Sequence, residues 1–378
     1  MKKIYRIFNF FFRIYFFFFS ILVLIKNITK IRNYRNIIYQ KAGGFGHTVI
    51  TANYVKYLLQ IEKKSIILIQ QFDYGRYNKS LLKSRDIPYI EIPRNLSFTL
   101  ANKFIVLGQQ EDRTNFQNSK MSLYNKLFYD FLSLIKKKDA ELKTESELYK
   151  EIINKHYPNK YSQINEPKHR KKSCCFYYLT DFTETLKLEN YSRIKILNKI
   201  NIIKNRLDRE KIVTIYIRFR KGNDNYFNEP RNNNLNDYIK LINYLNENKY
   251  LVLLMGDTDY FDLKKIKNIY TANILSVNKD SFDIFAATEV DLFIGTEGGA
   301  QNLAIQLKAK KLSINHFPYG HKTKNTKILH KKIIFNGQVL TESECFDKIN
   351  YERFLDKNYI VQDNSPEEIL NFVKKNIN

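Results

Sequence analysis

Two arginines, Arg218 and Arg220, close the segment KIVTIYIRFRKG, where Val213, Ile215, Ile217 and Phe219 alternate with Thr214, Tyr216, Arg218 and Arg220. A period of two predicts a strand with both guanidiniums on one face at its C-terminal end. Arginine offers permanently charged, bidentate donors, so this pair beside Gly222 suits a diphosphate. The alternative is ordinary surface charge at a strand end. Further on, VDLFIGTEGGAQNLAIQL reads as a strand, the turn Gly295, Thr296, Glu297, Gly298 and Gly299, and a helix presenting Ala300, Leu303, Ala304 and Leu307 on one face. There the amides of Gly298, Gly299 and Ala300 can point at phosphate oxygens, and Thr296 can add a hydroxyl. Glu297 can accept hydrogen bonds from sugar or ribose hydroxyls. Asn315, ending the next strand KLSIN, can reach the same crevice.

A second glycine turn follows the same grammar. The run IIYQKAGGFGHTVITANYVKYLLQ predicts a strand, a turn with Gly43, Gly44 and Gly46, and a helix whose apolar face is Ile50, Tyr54, Tyr57 and Leu58. The strand SIILIQ then completes a β-α-β unit. Six of the chain's 12 glycines fall in these two turns, which compositional drift does not explain. Glycine allows close approach to the backbone, and a following helix N-terminus offers free N–H donors to an anion. Plain strand-to-helix connections are the alternative. His47 starts that helix, and its imidazole has the pKa range of a general base. A helix cap or a packing histidine is an equal reading.

A rival arrangement is Asp257-Thr258-Asp259 after the apolar strand YLVLLMG, since two such carboxylates can hold Mg²⁺ or Mn²⁺ on a diphosphate. A further strand, glycine turn and helix follow it, and the arginines already counter phosphate charge. No divalent metal and no cofactor is therefore expected. The six histidines and three cysteines show no CxxC or HExxH spacing, which excludes the common zinc sites. Adjacent Cys174 and Cys175 with Cys345 give no disulfide framework and fit a reducing compartment.

The elements that must position these residues form two domains by length, since 378 residues exceed one core. With 44% apolar and 15% aromatic residues the chain is not disordered. Its formal charge of +25 is spread along the sequence with no arginine-rich tract or zinc-finger spacing, so no nucleic-acid partner is expected. Residues 4–25 read IYRIFNFFFRIYFFFFSILVLI between basic flanks. The uninterrupted part, Ile14 to Ile25, is too short to span a bilayer, and no cleavage site follows. An interfacial helix on an anionic membrane surface is expected, with a buried first helix as the alternative. KKKDAELKTESELYK reads as a solvated charged face, and the interdomain connection falls between 160 and 210.

The series VTIYIRFR, EPRNNNLNDYIKLINYLNENKYLVLLMGD, DLFIGTEGGAQNLAIQL and SINHFP resembles a glycosyltransferase family of bacterial surface-polysaccharide clusters. Its layout is similar to the fucosyltransferase-like branch of the GT-B fold. The resemblance covers about 211–320, and GGFGHTVITANYVKYL more loosely. It implies an α/β chain with two Rossmann-like domains facing across a cleft and an N-terminal hydrophobic helix. The division is then 1–30 as a membrane-associated helix, 31–205 as the acceptor domain and 206–378 as the donor domain. Arg218 or Arg220 would contact the donor diphosphate, with Arg231, Gly256, Asp257, Glu297, Gly298 and Asn315 in or near the donor site. Tyr216 and Phe219 stand where the branch carries a histidine, so fucose is not implied as donor. The implied partners are a nucleotide-sugar, a glycan or lipid-linked acceptor and the cytoplasmic face of a bacterial inner membrane. A polysaccharide pyruvyl transferase and a non-catalytic sugar-binding protein remain the alternatives.

Overall fold

A computed structural model describes residues 2–40, 45–72, 80, 87–93, 123–157, 188–219, 231–256, 258, 261–263, 266–304, 310–317, 326–342, 344–345 and 359–377. The chain divides into two compact units: Met1–Asn78 with Arg85–Ile152, and Lys79–Ser84 with Ile153–Asn378.

The first unit opens with helices α1 (Lys2–Lys26) and α2 (Ile28–Arg32), followed by strand β1 (Asn36–Gln40), helix α3 (Phe45–Ile61) and strand β2 (Ile66–Phe72). β1 and β2 are parallel, Ile37 opposite Ile67 and Tyr39 opposite Ile69, which is the β-α-β unit read from the periodicity. β3 (Tyr89–Pro93) extends the sheet beyond β2, and β4 (Glu141–Thr144) pairs with β1 on its other side. The order is β3-β2-β1-β4, all parallel. Helix α4 (Leu123–Ile135) packs Phe128 and Leu132 into a core with Leu24, Ile31 and Tyr39.

One expectation changes here. The segment read as a solvated charged face holds β4 and the first half of helix α5 (Glu145–His156). Leu148, Tyr149, Ile152 and Ile153 make a buried stripe on α5, while Lys143 pairs with Glu141 and Glu151 across the strand and helix and Lys64 pairs with Glu151 as well. The dense charge thus hides a core element whose ions pair with one another. The N-terminal helix is present, but among the described residues no helix is long and apolar enough to cross a membrane. One face of α1 is core, as the buried-helix alternative had it: Phe16 and Leu24 are buried and the Phe17 ring lies 4.9 Å from that of Phe128.

In the second unit, helix α6 (Asn190–Arg206) leads into strand β5 (Lys211–Ile217). β6 (Tyr250–Gly256), β7 (Ile269–Tyr270), β8 (Leu292–Gly295), β9 (Lys310–His316) and β10 (Thr326–His330) complete a parallel sheet in the order β10-β9-β8-β5-β6-β7. Helices α7 (Ile239–Glu247), α8 (Lys279–Thr288), α9 (Gly299–Ala304) and α10 (Pro366–Ile377) flank it. Leu241 and Leu245 of α7 meet Ile369 and Val373 of α10 over Val213, Ile215 and their neighbours. α6 is tied into this unit by an Arg193–Glu289 ion pair and by Lys199 Nζ donating to the Leu275 carbonyl at 2.6 Å. A small antiparallel sheet of β11 (Lys332–Phe335), β12 (Gln338–Val339) and β13 (Tyr359–Gln362) closes on Phe317, Ile333 and Cys345.

β5 departs from the alternating strand read in the sequence. Thr214 is as buried as Val213 and Ile215, because a central parallel strand is covered on both faces. Pairing stops at Ile217, so Arg218 belongs to the turn beyond the strand.

Candidate functional site

The strand order locates the crevice. From β5 the chain steps to β6 and then β7 at one edge, and it returns to lay β8 on the other side of β5. The direction of winding reverses between β5 and β8, and in such sheets ligands bind outside the carboxyl ends at that reversal. Arg218 follows β5 directly, and Thr296 to Gly298 follow β8.

Backbone and side chains lock these two turns together. The Thr296 amide donates to the Tyr216 carbonyl at 3.1 Å, and its buried hydroxyl accepts from the Arg218 amide at 3.0 Å. Gly298 lies against Tyr216, where a Cβ would stand 2.7 Å from the phenolic oxygen. Gly256, closing β6 with φ of +119°, lies so near β5 that a Cβ would stand 2.7 Å from the Ile217 carbonyl. A side chain at Gly256 would push the ends of β5 and β6 apart, and one at Gly298 would displace the Tyr216 ring.

Two guanidiniums converge on one carboxylate. Arg218 Nη1 lies 3.3 Å from Glu297 Oε2, and Arg231 Nε donates to the same oxygen at 2.8 Å, with its Nη2 also in contact. The side chains of Arg218, Arg231 and Glu297 are only 6%, 13% and 12% exposed. Two guanidiniums held at the strand ends in a poorly solvated place offer charged, bidentate donors to an anionic ligand.

The turn carrying Arg231 is held from below. The Asn233 amide donates to the Arg218 carbonyl at 3.0 Å, Asn233 Nδ2 to the Arg231 carbonyl at 3.0 Å, and the Tyr238 hydroxyl to Asn233 Oδ1 at 3.2 Å. Lys331, almost fully buried, donates to the Asn232 carbonyl at 2.7 Å and pairs with Asp363. Burial pulls the Lys331 ammonium below its ordinary value and Asp363 only partly offsets this. Burial likewise pushes the Tyr238 phenol well above its usual range, so it stays a neutral donor.

The predicted residues fare differently. Arg218, Arg231, Gly256, Gly295, Thr296, Glu297, Gly298 and Gly299 all lie at the ends of β5, β6 and β8 or in the turns that follow them. Asn315 is buried within β9 at φ of +49°, and its Oδ1 accepts from both the amide and the Nδ2 of Asn364, at 2.8 and 2.7 Å. It splices β9 to the entry of α10. His47 and Gly46 fall in the first turn of α3. Elsewhere on α3, Thr48 accepts from Gln70 Nε2 at 3.2 Å and the Thr51 hydroxyl lies 2.7 Å from that of Tyr149. Gly43, Gly44, Arg220, Asp257 and Asp259 lie outside the described residues. Among the described residues, no group of three or more His, Cys, Asp or Glu side chains is placed to hold a metal ion.

Sequence reasoning missed Asn233, Lys331 and Asp363. The run of asparagines from Asn232 to Asn234 between a strand and a helix was the available signal for the first, since such residues favour turns that bond to their own backbone. Lys331 and Asp363 carried none.

The sequence matches no protein-family model and no curated protein. In three dimensions the chain is similar to the glycosyl transferase family 9 protein of Veillonella parvula, with a TM-score of 0.52 at 10% identity over 90% of this chain and 97% of that one. It is also similar to the E. coli heptosyltransferase WaaC with ADP (TM-score 0.45, 10% identity, 90% of this chain and 99% of that one). The E. coli ADP-heptose LPS heptosyltransferase II gives a TM-score of 0.43 at 11% identity over the same shares. At such identity the first likeness shows the fold, a mixed α/β chain with parallel sheets consistent with the GT-B type.

Proposed function

We propose that this chain is a glycosyltransferase which takes a sugar from a nucleotide-sugar donor, with the donor diphosphate at the carboxyl ends of β5 and β8. The observation that carries this reading is the pair Arg218 and Arg231, held together at the point where the sheet reverses its winding. As the sugar leaves, negative charge builds on the departing diphosphate, and preorganised guanidiniums stabilise that charge without reorganising. Glu297 keeps both arginines in place through its carboxylate, and phosphate oxygens take over as counterions when the donor enters. The acceptor is a glycan or a lipid-linked sugar, in keeping with the resemblance in the donor segment.

The test is release of nucleoside diphosphate by the purified chain from ADP-, UDP-, GDP- and dTDP-sugars, and of CMP from CMP-sugars. Release from at least one donor, reduced tenfold or more in Arg231→Ala, is expected. Binding without release supports the non-catalytic reading instead, and phosphate release from phosphoenolpyruvate supports the pyruvyl transferase.

A further inference from the structure

From Ile14 to Ile25 the sequence of helix α1 is apolar all round apart from Ser20, and burial is confined to one side of it. On the covered side Phe16, Ser20 and Leu24 are buried, Ser20 donating its hydroxyl to the Phe16 carbonyl at 2.8 Å. On the other side Phe11, Tyr15, Phe18, Leu22 and Ile25 are exposed, by 62%, 62%, 60%, 61% and 48%. Steps of four, three, four and three residues at 100° per residue keep these five on one stripe. A helix that is apolar all round belongs inside a core or a lipid phase, and the five residues of this stripe are each about half or more exposed.

Charge selects the occupant. Lys26 is exposed and falls on the same stripe, one turn after Leu22. Lys30 and Arg35, just beyond the helix, are also exposed, and Lys2, Lys3 and Arg6 precede the aromatic run. The chain as a whole carries +25. A stripe of aromatic and aliphatic side chains, edged by lysine and arginine and too short to span, matches the boundary between anionic headgroups and acyl chains.

We propose that the exposed stripe of α1 is a docking surface for an anionic lipid bilayer, on which the helix lies flat with its opposite face remaining in the protein core. The proposal stands on the helix and not on the donor site, so either can fail alone.

The experiment is flotation of the full chain with vesicles of phosphatidylglycerol and phosphatidylethanolamine, against vesicles of phosphatidylcholine alone. The intact chain should float with the anionic vesicles and at least tenfold less with the zwitterionic ones, with binding weakened by salt. A variant with Phe11→Ser, Tyr15→Ser, Phe18→Ser and Leu22→Ser should keep its melting temperature, since these side chains are exposed, and lose at least tenfold in vesicle binding. The chain has no tryptophan, so Leu22→Trp gives a single reporter that is independent of the serine variant's folding. Its emission should shift to the blue on addition of anionic vesicles. No flotation of the intact chain, equal binding to both vesicle types, or unchanged emission each overturns the proposal. So does blue emission without lipid that rises with protein concentration, which would assign the stripe to a second copy of the chain.

Discussion

Replacing Glu297 by glutamine removes a negative charge that Arg218 and Arg231 share while keeping the shape of the side chain. All three side chains are nine-tenths or nearly so removed from solvent. Breaking a buried ion pair by deleting one partner costs about 3–5 kcal/mol, and the residual exposure here argues for the lower figure of about 3. In a unit of this size each kcal/mol lowers the melting midpoint by about 2–4 °C, so the expected fall is roughly 6–12 °C. A nucleoside diphosphate supplies replacement negative charge to the same guanidiniums. At about 100 times its dissociation constant a ligand adds about 2.7 kcal/mol, and the gain should be larger in Glu297→Gln than in the parent because the anion also relieves the repulsion between the arginines. Thermal unfolding followed by circular dichroism, with and without ADP, UDP, GDP, CDP and dTDP, reads both quantities. Melting within about 1 °C of the parent would refute the shared-counterion reasoning. A smaller ligand shift in the variant would make Glu297 a direct ligand of the nucleotide and not the keeper of the arginines.

Gly298→Ala should destabilise by about 1–3 kcal/mol through the clash with the Tyr216 hydroxyl, and Gly298→Ala with Tyr216→Phe should recover most of it because the nearest opposing atom is gone; additive losses in a denaturant series would contradict this. Burial raises the Glu151 carboxyl, but hydrogen bonds from Lys143 and Lys64 outweigh it and hold its pKa below the ordinary range. Its ion pairs therefore stabilise the first unit above the ordinary glutamate value and fade as pH falls through the lowered one. The melting difference between the parent and Glu151→Gln should be present at pH 7, correspond to under about 1 kcal/mol after solvent screening, and close as pH falls below the ordinary glutamate range. Sugar transfer should persist in EDTA, and Asp259→Asn should be tolerated better than Asp257→Asn; equal losses that excess Mn²⁺ partly rescues would assign the two aspartates to a metal.

The parts of the fold that announce themselves in the sequence are those whose local pattern and tertiary role coincide. YLVLLMG is a buried strand because it is apolar on both faces, and GTEGG stands between a strand and a helix with Gly298 where a Cβ would meet the Tyr216 ring. ELKTESELYK was opaque, since its core residues sit among charges whose partners, Lys143 and Lys64 for Glu151 and Thr51 for Glu145, meet them in the folded chain. The alternation over 211–220 suggested one polar and one apolar face, whereas the sheet covers both. The pairing of Arg231 with Glu297 spans 66 positions and depends on strand order, which no local pattern states. The buried Lys331 beneath Asn232 is of the same kind: a lysine reads as surface until the fold surrounds it.

The central claim is that the ends of β5 and β8 bind the diphosphate of a nucleotide-sugar through Arg218. Calorimetric titration of the parent and of Arg218→Ala with ADP-, UDP-, GDP- and dTDP-sugars, and CMP-sugars as the monophosphate control, measures it directly. Loss of a charge-assisted contact of about 1.5–3 kcal/mol predicts that one diphosphate donor class binds the parent roughly 10- to 150-fold more tightly than the variant. Equal affinity in the two proteins, or a parent that binds no nucleotide-sugar, contradicts the account.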